Sequence, residues 1–257
     1  MNRIPDDFWN VIKSVIPKKE NHKVGRPETC NRKTLEGIFY IIKAGSPWHM
    51  LPKEFGRPTT VHGKFRKWVK SGVFDQIIKL VLKMYGDQTE DQSHYSIDAS
   101  FSKAPISYEW SGKSPTDRGK QGIKKSIIVD SHGIPVSIVV GAANVHDSKF
   151  FEENIQQLHL SKDKISVLTA DSAYDSRHLR KLAKNNNIAL LASTNRRRKK
   201  DKNIYQPRGR WVVERTFGWL HWNRGIKTCW AKTKESFLAF LQFACSIHVF
   251  RAVGIFG

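Results

Sequence analysis

The sequence contains few cysteines, no long uninterrupted apolar run and a shortage of acidic side chains. Its three cysteines are far apart and odd in number, so they predict neither a disulfide framework nor a zinc site and fit a reducing compartment. The longest apolar stretch, residues 237–249, is interrupted by polar side chains and falls short of the roughly 18 apolar residues that a membrane span needs. The N-terminus lacks the apolar segment of a signal peptide. These absences exclude secreted and membrane classes and predict a cytoplasmic protein.

Basic residues outnumber acidic ones by a wide margin. Lysine and arginine total 44 against 23 aspartates and glutamates, a net charge of +21. The excess is +8 in residues 1–90, +2 in residues 91–194 and +11 in residues 195–257, so the acids gather in the middle. Basic flanks around an acidic centre are typical of a protein that holds nucleic-acid phosphates and binds metal between them. Charge alone indicates contact with nucleic acid and leaves open whether the protein is an enzyme or an architectural binder.

The first 90 residues show the apolar spacing of helices. Helices are predicted over residues 6–16, 32–44, about 59–70 and from Phe74 onward. Opposite its apolar stripe, the third helix carries Lys64, Arg66, Lys67 and Lys70. A short helical domain with one basic helix late in it favours a helix-turn-helix-like reader of DNA. A plain helical bundle with a solvated charged face is the alternative.

The polar segment 85–93 predicts a domain boundary, because the sequence pattern changes after it. Residues 94–257 then alternate between β-branched runs and amphipathic stretches. Strands are predicted over residues 94–101, 124–130, 134–141, 165–171 and 188–193, and helices over residues 148–160, 175–187 and from about 210. An antiparallel meander followed by helix–strand units gives a mixed α/β sheet. This order suits a ribonuclease-H-like catalytic domain that follows a small all-helical domain.

Three carboxylates interrupt apolar elements of the second region. Asp98 lies inside the first strand, Asp171 ends the fourth, and Glu214 lies on a helix over residues 210–224. Aspartate is disfavoured inside strands, and ligand-binding side chains gather at the carboxyl ends of sheet strands. Each carboxylate alone has a structural explanation, namely a strand-end cap for each aspartate and a surface ion pair with Arg210 for Glu214. Together they favour a metal site.

The predicted helix over residues 210–224 carries a polar stripe. At about 100° per residue, one side of it holds Arg210, Glu214, Phe217, His221 and Arg224. Tryptophans on its other sides argue against a fully solvated helix, so we expect the stripe to face a polar site. Three carboxylates can hold two divalent metals roughly 3.5–4 Å apart for in-line attack on a phosphodiester. Oxygen ligands favour Mg²⁺ or Mn²⁺ over zinc.

Six stretches of the sequence carry recognisable motifs. They are IDAS around Asp98, GxxPTDRGKQGIKKSIIVD (112–130), GIPVSIVVGAANVHDS (133–148), LTADSAYDS (168–176), RWVVERTFGWLHWNR (210–224) and, in the helical part, GIFYIIKAGSPWHMLPKEFG (37–56). In combination they resemble the DDE transposases of bacterial insertion sequences, in the IS-five/IS-four group. The resemblance extends over nearly the whole chain.

The resemblance implies a two-domain DNA transposase. Residues 1–90 would bind the terminal inverted repeats of the element, and residues 94–257 would cut and join strands. Asp98, Asp171 and Glu214 would form the catalytic and metal-binding triad, with Mg²⁺ as the cofactor and Mn²⁺ as a substitute. The implied partners are double-stranded DNA of the element ends and target, and further copies of the chain, because two ends must be held together. The implied location is the cytoplasm, in association with the nucleoid.

The signature of the related group is Tyr-x2-Arg-x3-Glu-x6-Lys. Arg210 and Glu214 match it, whereas Pro207 stands at the tyrosine and His221 at the lysine. Arg210 and His221 are therefore expected to contact DNA, and Arg224 or Lys227 could take the role of the lysine. Arg196, Arg197 and Arg198 are expected to bind DNA phosphates, with a solvated basic run as the alternative. Asn144, His146 and Asp147 are expected to support the site, with a loop cap as the alternative.

Two other functions remain open. A ribonuclease-H-like nuclease or resolvase would cut DNA without joining it, and a non-catalytic DNA-binding regulator would keep its full activity with alanine at Asp98. Strand joining distinguishes the first alternative from a transposase, and the unbroken set of three carboxylates counts against the second.

Overall fold

The computed structural model describes residues 3–17, 29–88, 93–106, 108–158, 166–194 and 210–256. The helices of its first part are α1 (Asp6–Ile12), α2 (Asn31–Ala44), α3 (Pro58–Lys70) and α4 (Val73–Gln88). The four predicted helices are thus present, and α1 is shorter than expected. Helix α3 begins at Pro58, and proline is favoured there because the N–H groups of the first turn have no partner within the helix.

Six strands form one mixed sheet. They are β1 (His94–Lys103), β2 (Gly112–Lys113), β3 (Gln121–Asp130), β4 (Pro135–Ala142), β5 (Ser166–Ala170) and β6 (Ile188–Ala192). Strand β1 lies at the centre, antiparallel to β3 and parallel to β5, and β4 and β6 extend the two sides. An antiparallel meander joined to parallel strands in this order is the sheet of a ribonuclease-H-like fold, as predicted. The two-residue strand β2 was not predicted.

Helices connect and cover the sheet. They are α5 (Phe151–Gln156), α6 (Arg177–Lys184), α7 (Trp211–His221), α8 (Arg224–Lys227) and α9 (Lys234–Phe256). Within the predicted helix over residues 148–160, a 3-10 turn leads into the short α5, and residues 159 and 160 lie outside the described residues. The predicted helix over residues 210–224 ends at His221, so Arg224 belongs to a separate helix and does not continue the polar stripe.

The long last helix, α9, packs against helices of the first part. It contacts α4 along its length and also α2, α3 and β4, and the ring of Phe243 lies 5.7 Å from that of Phe74. Buried side chains of the helices and of the sheet therefore form one continuous apolar cluster. By length and composition residues 234–254 could also span a membrane, contrary to the expectation from the sequence, but 67% of the most apolar stretch of this helix is buried inside the protein. The boundary at residues 85–93 stays a prediction.

Candidate active site

Asp98 and Asp171 lie side by side in the sheet. The parallel pairing of β1 with β5 sets Ser96 opposite Thr169, and their hydroxyl oxygens are 2.7 Å apart. Asp98 and Asp171 each follow two residues later on neighbouring backbones. The two carboxylates thus lie close enough for the charge of Asp171 to raise the pKa of Asp98, near the carboxyl end of β5, where polar ligands collect in α/β sheets.

The environment of Asp98 opposes its negative charge. Burial raises its pKa to about 6, against the effect of a hydrogen bond from the Ala99 N–H to Oδ1 at 2.8 Å. The carboxylates of Asp171 and Asp147 raise the pKa further, and the Arg210 guanidinium lowers it. A cation placed at this pair would remove the repulsion that now disfavours the charged form.

Asp171 is fixed by the turn that follows β5. Its Oδ1 accepts a hydrogen bond from the Ala173 N–H at 2.8 Å and so caps the 3-10 turn Ser172–Tyr174. The ring of Tyr174 is buried against Phe151, and burial together with the nearby carboxylates holds the pKa of its hydroxyl well above the ordinary value. Tyr174 is therefore a buried, neutral side chain close to both carboxylates, and the sequence motifs gave no role to it.

Helix α7 lies across the face of the sheet that carries Asp98, and two side-chain hydrogen bonds hold it there. Thr216 Oγ1 donates to the Gly133 carbonyl at 2.7 Å, and Arg215 donates to the His132 carbonyl at 2.6 Å. Gly133 has a φ of +89°, and a Cβ there would lie 2.9 Å from Thr216 Oγ1, so glycine is needed for this contact. The turn between β3 and β4 thereby fixes the position of α7 over the strands.

Glu214 lies on the exposed side of α7 and forms an ion pair with Arg210, with the guanidinium 3.2 Å from its carboxylate. The same guanidinium is close enough to Asp98 to lower its pKa. Among the described residues, no three acidic, histidine or cysteine side chains converge as a metal centre. The two aspartates are together, and Arg210 holds Glu214 outside that pair, so the role of Glu214 stays a prediction.

His221, at the end of α7, contacts a buried lysine that the sequence analysis did not consider. Lys125 Nζ lies 3.2 Å from His221 Nε2 and donates to the Ser102 hydroxyl, and Ser100 Oγ is 3.4 Å from the same ring nitrogen. Burial lowers the pKa of Lys125 to about 7. Burial and the cations of Lys125 and Lys227 lower that of His221 to about 4. The sequence did contain a signal for Lys125, because it is a charged residue within a strand of β-branched residues, as Asp98 is a charged residue within an apolar strand.

The tryptophans of α7 are exposed, contrary to expectation. The exposed fraction is 58% for Trp211, 39% for Trp219 and, just beyond the helix, 79% for Trp222. The Arg215 guanidinium lies 4.7 Å from the ring centres of both Trp211 and Trp219, a cation–π arrangement. The buried side of the helix consists instead of its smaller apolar residues and Phe217. Phe217 was expected on the polar stripe and lies in the core, because the stripe is narrower than the sequence angles suggested.

The predicted supporting residues lie in the turn after β4. His146 accepts from the Ser148 N–H and caps the following 3-10 turn, Asp147 pairs with Lys124 at 2.8 Å, and Asn144 packs against Gly112 of β2, where a Cβ would lie 2.1 Å from its side-chain oxygen. Of these three, Asp147 is close enough to Asp98 to raise its pKa. A role in the site stays a prediction for all three.

The predicted DNA-binding side chains differ in availability. Lys64 is partly buried and donates to the Thr29 carbonyl and the Asn31 side chain at 2.8 and 2.7 Å, so its ammonium holds the start of α2. The exposed members are Arg66, Lys67, Lys70 and Arg224. Arg196, Arg197, Arg198 and Pro207 lie outside the described residues.

Two family models match the chain. The one described as "Transposase DDE domain" matches residues 89–250, and the one described as "Putative transposase of IS4/5 family" matches residues 4–78. The first covers more than half of the chain and includes Asp98, Asp171 and Glu214. The second covers α1 to the middle of α4.

Curated proteins of Burkholderia cepacia are similar in sequence. The "Putative transposase for insertion sequence element IS402" is 28% identical over 143 residues, which cover 53% of this chain and 66% of that protein. The "Insertion element IS402 uncharacterized 16.2 kDa protein" is 30% identical over 118 residues, which cover 44% of this chain and 80% of that protein. The match thus spans slightly less than two thirds of the first relative.

Solved structures with a similar chain trace include two transposase–DNA complexes. A piggyBac transposase synaptic complex with hairpin DNA has a TM-score of 0.39 at 12% identity, and the match covers 79% of this chain and 50% of that one. A Mos1 transposase paired-end complex with left transposon end has a TM-score of 0.29 at 10% identity, with 92% and 82% covered.

Proposed function

The chain belongs to the DDE transposase family of bacterial insertion sequences, and on that premise we propose that it binds the terminal inverted repeats of its own element and catalyses DNA cleavage and strand transfer. The observation that carries the proposal is the proximity of Asp98 in β1 to Asp171, which directly follows the paired strand β5. Their mutual repulsion and the buried position of Asp98 suit a pair that closes on a cation.

The family uses a divalent metal ion, and the donor set here fits one, since two carboxylates supply oxygen ligands. We assign Asp98 and Asp171 as its ligands and Glu214 as the residue that completes the site once Arg210 releases it. Mg²⁺ is the proposed ion, with Mn²⁺ as a substitute. When bound, the ion activates a water or a 3′-hydroxyl for attack on a phosphodiester. Hydrogen bonds from Ala99 and Ala173 orient the two aspartates, so the protein pre-arranges its ligands.

Arg210 and His221 act on the DNA in different ways in this proposal. Arg210 keeps its positive charge and can form paired hydrogen bonds with a phosphate. His221 is a neutral imidazole near pH 7, because its pKa is lowered to about 4, so it contributes a hydrogen bond where the family signature has a lysine charge. Arg224 and Lys227 lie on the next helix and supply that charge.

The proposed partners are the element ends and the target, both as double-stranded DNA, with two or more copies of the chain in the DNA complex. Exposed Arg66, Lys67 and Lys70 on α3 are the proposed contacts to the terminal repeat. A large net charge of +21 supports phosphate binding over a wide surface. The proposed location is the nucleoid.

The test is cleavage and joining of plasmid DNA that carries the gene with its flanks, in Mg²⁺ or Mn²⁺. Wild-type protein is expected to cut at the element ends and to yield joined products. Asp171→Ala should abolish both, because it removes a ligand of the proposed ion. Asp117→Ala is the matched control, since Asp117 pairs with Lys120 in a distant exposed turn, and should cut as the wild type does.

Each other outcome decides against part of the proposal. Cut ends without joined products would indicate a nuclease or resolvase. Specific binding of the ends without cutting in any metal, by wild type and by both variants, would indicate a DNA-binding regulator. Cutting by Asp171→Ala at the wild-type rate would remove Asp171 from the site.

A further inference from the structure

A cleft of about 320 Å³ lies where α2, α7 and α9 meet, on a side of α7 turned away from Glu214. Its walls are Phe39 and Lys43 of α2, Trp219 of α7, Trp222, and His248 and Arg251 of α9, with smaller residues between them. Its volume is at the lower end of the range of small-ligand sites. The three carboxylates of the candidate active site, Arg210 and His221 do not line it.

The charged and titratable side chains that line the cleft are all basic. They are Lys43, His248 and Arg251. Among the described residues, neither Lys43 nor Arg251 forms an ion pair with a carboxylate, and His248 Nε2 is buried without a hydrogen-bond partner. The nearness of Arg251 also lowers the pKa of Lys43, after burial. Unneutralised cations that repel one another across a cleft favour an anion as the ligand.

The same cleft presents exposed indole rings. Trp222 is 79% exposed, and the ring of Trp219 lies tilted against that of His248, with ring centres 4.4 Å apart. Exposed tryptophans next to cations are the two parts of a single-stranded nucleic-acid site, because bases stack on the rings and phosphates pair with the cations. Bases inside a duplex offer no face for stacking, so this arrangement suits an unpaired nucleotide.

The cleft is also near the proposed chemistry. Trp219 follows Glu214 by five residues on the same helix, which is about 7.5 Å along its axis and about 140° around it. A DNA strand that runs from the carboxylates around α7 would reach the indole rings of Trp219 and Trp222 within a short distance. The close link through one rigid helix allows a strand held in the cleft to be positioned relative to Glu214.

We propose that the cleft between α2, α7 and α9 binds an unpaired nucleotide of a DNA strand, with its base on Trp222 and its phosphate between Lys43 and Arg251. The inference rests on the proposed function, in which strands are cut and separated. It adds a binding site for a single strand beside the duplex contacts.

The test is binding of a fluorescent oligothymidylate of about eight nucleotides, measured by anisotropy without metal over a series of salt concentrations. Trp222→Ala is expected to weaken binding roughly 5- to 150-fold, the range for the loss of one stacked base. Lys43→Gln is expected to weaken binding and to reduce the slope of log affinity against log salt by about 0.7, the value for one contact to a single strand. Trp230→Ala and Lys53→Gln are the matched controls, because both side chains are exposed outside the cleft, and they should bind as the wild type does.

Several results would overturn the inference. They are wild-type affinity in Trp222→Ala, equal losses in Trp230→Ala, or a wild type that binds duplex of the same length and ignores the oligothymidylate. A change in sedimentation of Trp222→Ala with unchanged oligonucleotide binding would assign the cleft to a protein contact instead. Circular dichroism and thermal unfolding check that the variants fold.

The oligothymidylate-binding assay and the plasmid assay test different claims, so either can give a negative result while the other gives a positive one. A wild type that cuts and joins element ends while Trp222→Ala binds the oligothymidylate normally contradicts only the cleft. A wild type that binds the oligothymidylate through Trp222 and never cuts contradicts only the proposed transposase activity.

Discussion

Lys125 is a lysine with no exposed surface, in the strand next to Asp98. Its ammonium has the Ser102 hydroxyl, the Phe101 carbonyl and His221 as neighbours and no carboxylate partner among the described residues. A buried cation without a counter-ion costs folding free energy.

The stability of the protein should therefore rise from about pH 7 to about pH 8.5, below the range in which the buried Cys229 and Cys245 thiols, whose pKa burial raises, oppose the rise. Burial lowers the pKa of Lys125 from 10.5 to about 7, so in this range the unfolded chain binds more protons than the folded protein, and raising the pH favours folding. Below about pH 7 the destabilisation is present in full. Urea unfolding of the wild type and of Lys125→Met across this range measures it, with exposed Lys53→Met as the control.

Lys125→Met should lack the rise that the wild type and the control show. A parallel pH dependence in all three proteins would contradict the lowered pKa of Lys125.

Glu214 should matter for activity and little for stability. Its ion pair with Arg210 is exposed, and such pairs contribute about 0–1 kcal/mol. Glu214→Gln is expected to abolish cleavage of the element ends while changing the free energy of unfolding by less than about 1 kcal/mol. Glu235→Gln, an exposed glutamate at the start of α9, is the control. A variant at Glu214 that cuts at the wild-type rate would remove this residue from the triad.

Residues that break a pattern were the signal for the candidate site in the sequence. Asp98 and Asp171 interrupt apolar strands, and the register of a parallel pair then brings them together. The state of Glu214 could not be predicted, because an Arg210–Glu214 pair and a metal ligand use the same helical spacing. Lys125 was missed because its partner His221 lies 96 residues later, and only the fold brings α7 across β1 and β3.

At the scale of elements, α7 has an unusual exposed side. Besides its tryptophans it carries Gly218, and a Cβ built there meets nothing within 4 Å. Glycine inside a helix is destabilising relative to alanine, because the unfolded chain loses more backbone freedom on folding. The packing of α7 gives no reason for this glycine.

Gly218→Ala should therefore stabilise the protein by about 1 kcal/mol. Thermal unfolding followed by circular dichroism measures the change. Gly133→Ala is the comparison and should be destabilising, because that residue has a positive φ and its Cβ would crowd Thr216. A loss of stability in Gly218→Ala would show that the space above this residue is filled.

Most elements were predicted from periodicity, and the errors have physical causes. The angles along residues 210–224 assumed one continuous helix, but the chain turns after His221, and Ile226 then donates to the Asn223 carbonyl at 2.8 Å. The tryptophans were expected to be buried because large apolar side chains usually are. Their exposure reflects a surface that meets another molecule in the proposal above.

At the scale of the whole molecule, α9 completes the helical layer. Its residues pack on α4, and Phe240 stacks on Phe65 of α3 with ring centres 4.8 Å apart. The sequence indicated an apolar helix near the end of the chain, but periodicity cannot say which surface such a helix covers. The partner of α9 is set by tertiary packing with residues about 170 positions earlier.

A fragment of residues 1–90 should not fold alone. Without α9 the apolar side of α4, with Phe74 and Ile77, would be exposed to water. The fragment is expected to lack a cooperative thermal transition by circular dichroism, and joining residues 230–256 to it through a flexible linker should restore one. A cooperative transition in the fragment alone would instead support an independent domain with its boundary at residues 85–93.

The position of α9 in the chain also sets the order of events during synthesis. A ribosome makes α1 to α4 well before α9, and domains generally fold as their residues emerge. The nascent helices must wait until residues 234–256 are made before their apolar side is covered. A polypeptide released before residue 234 would therefore contain the basic helix α3 without the packing of α9 that supports it.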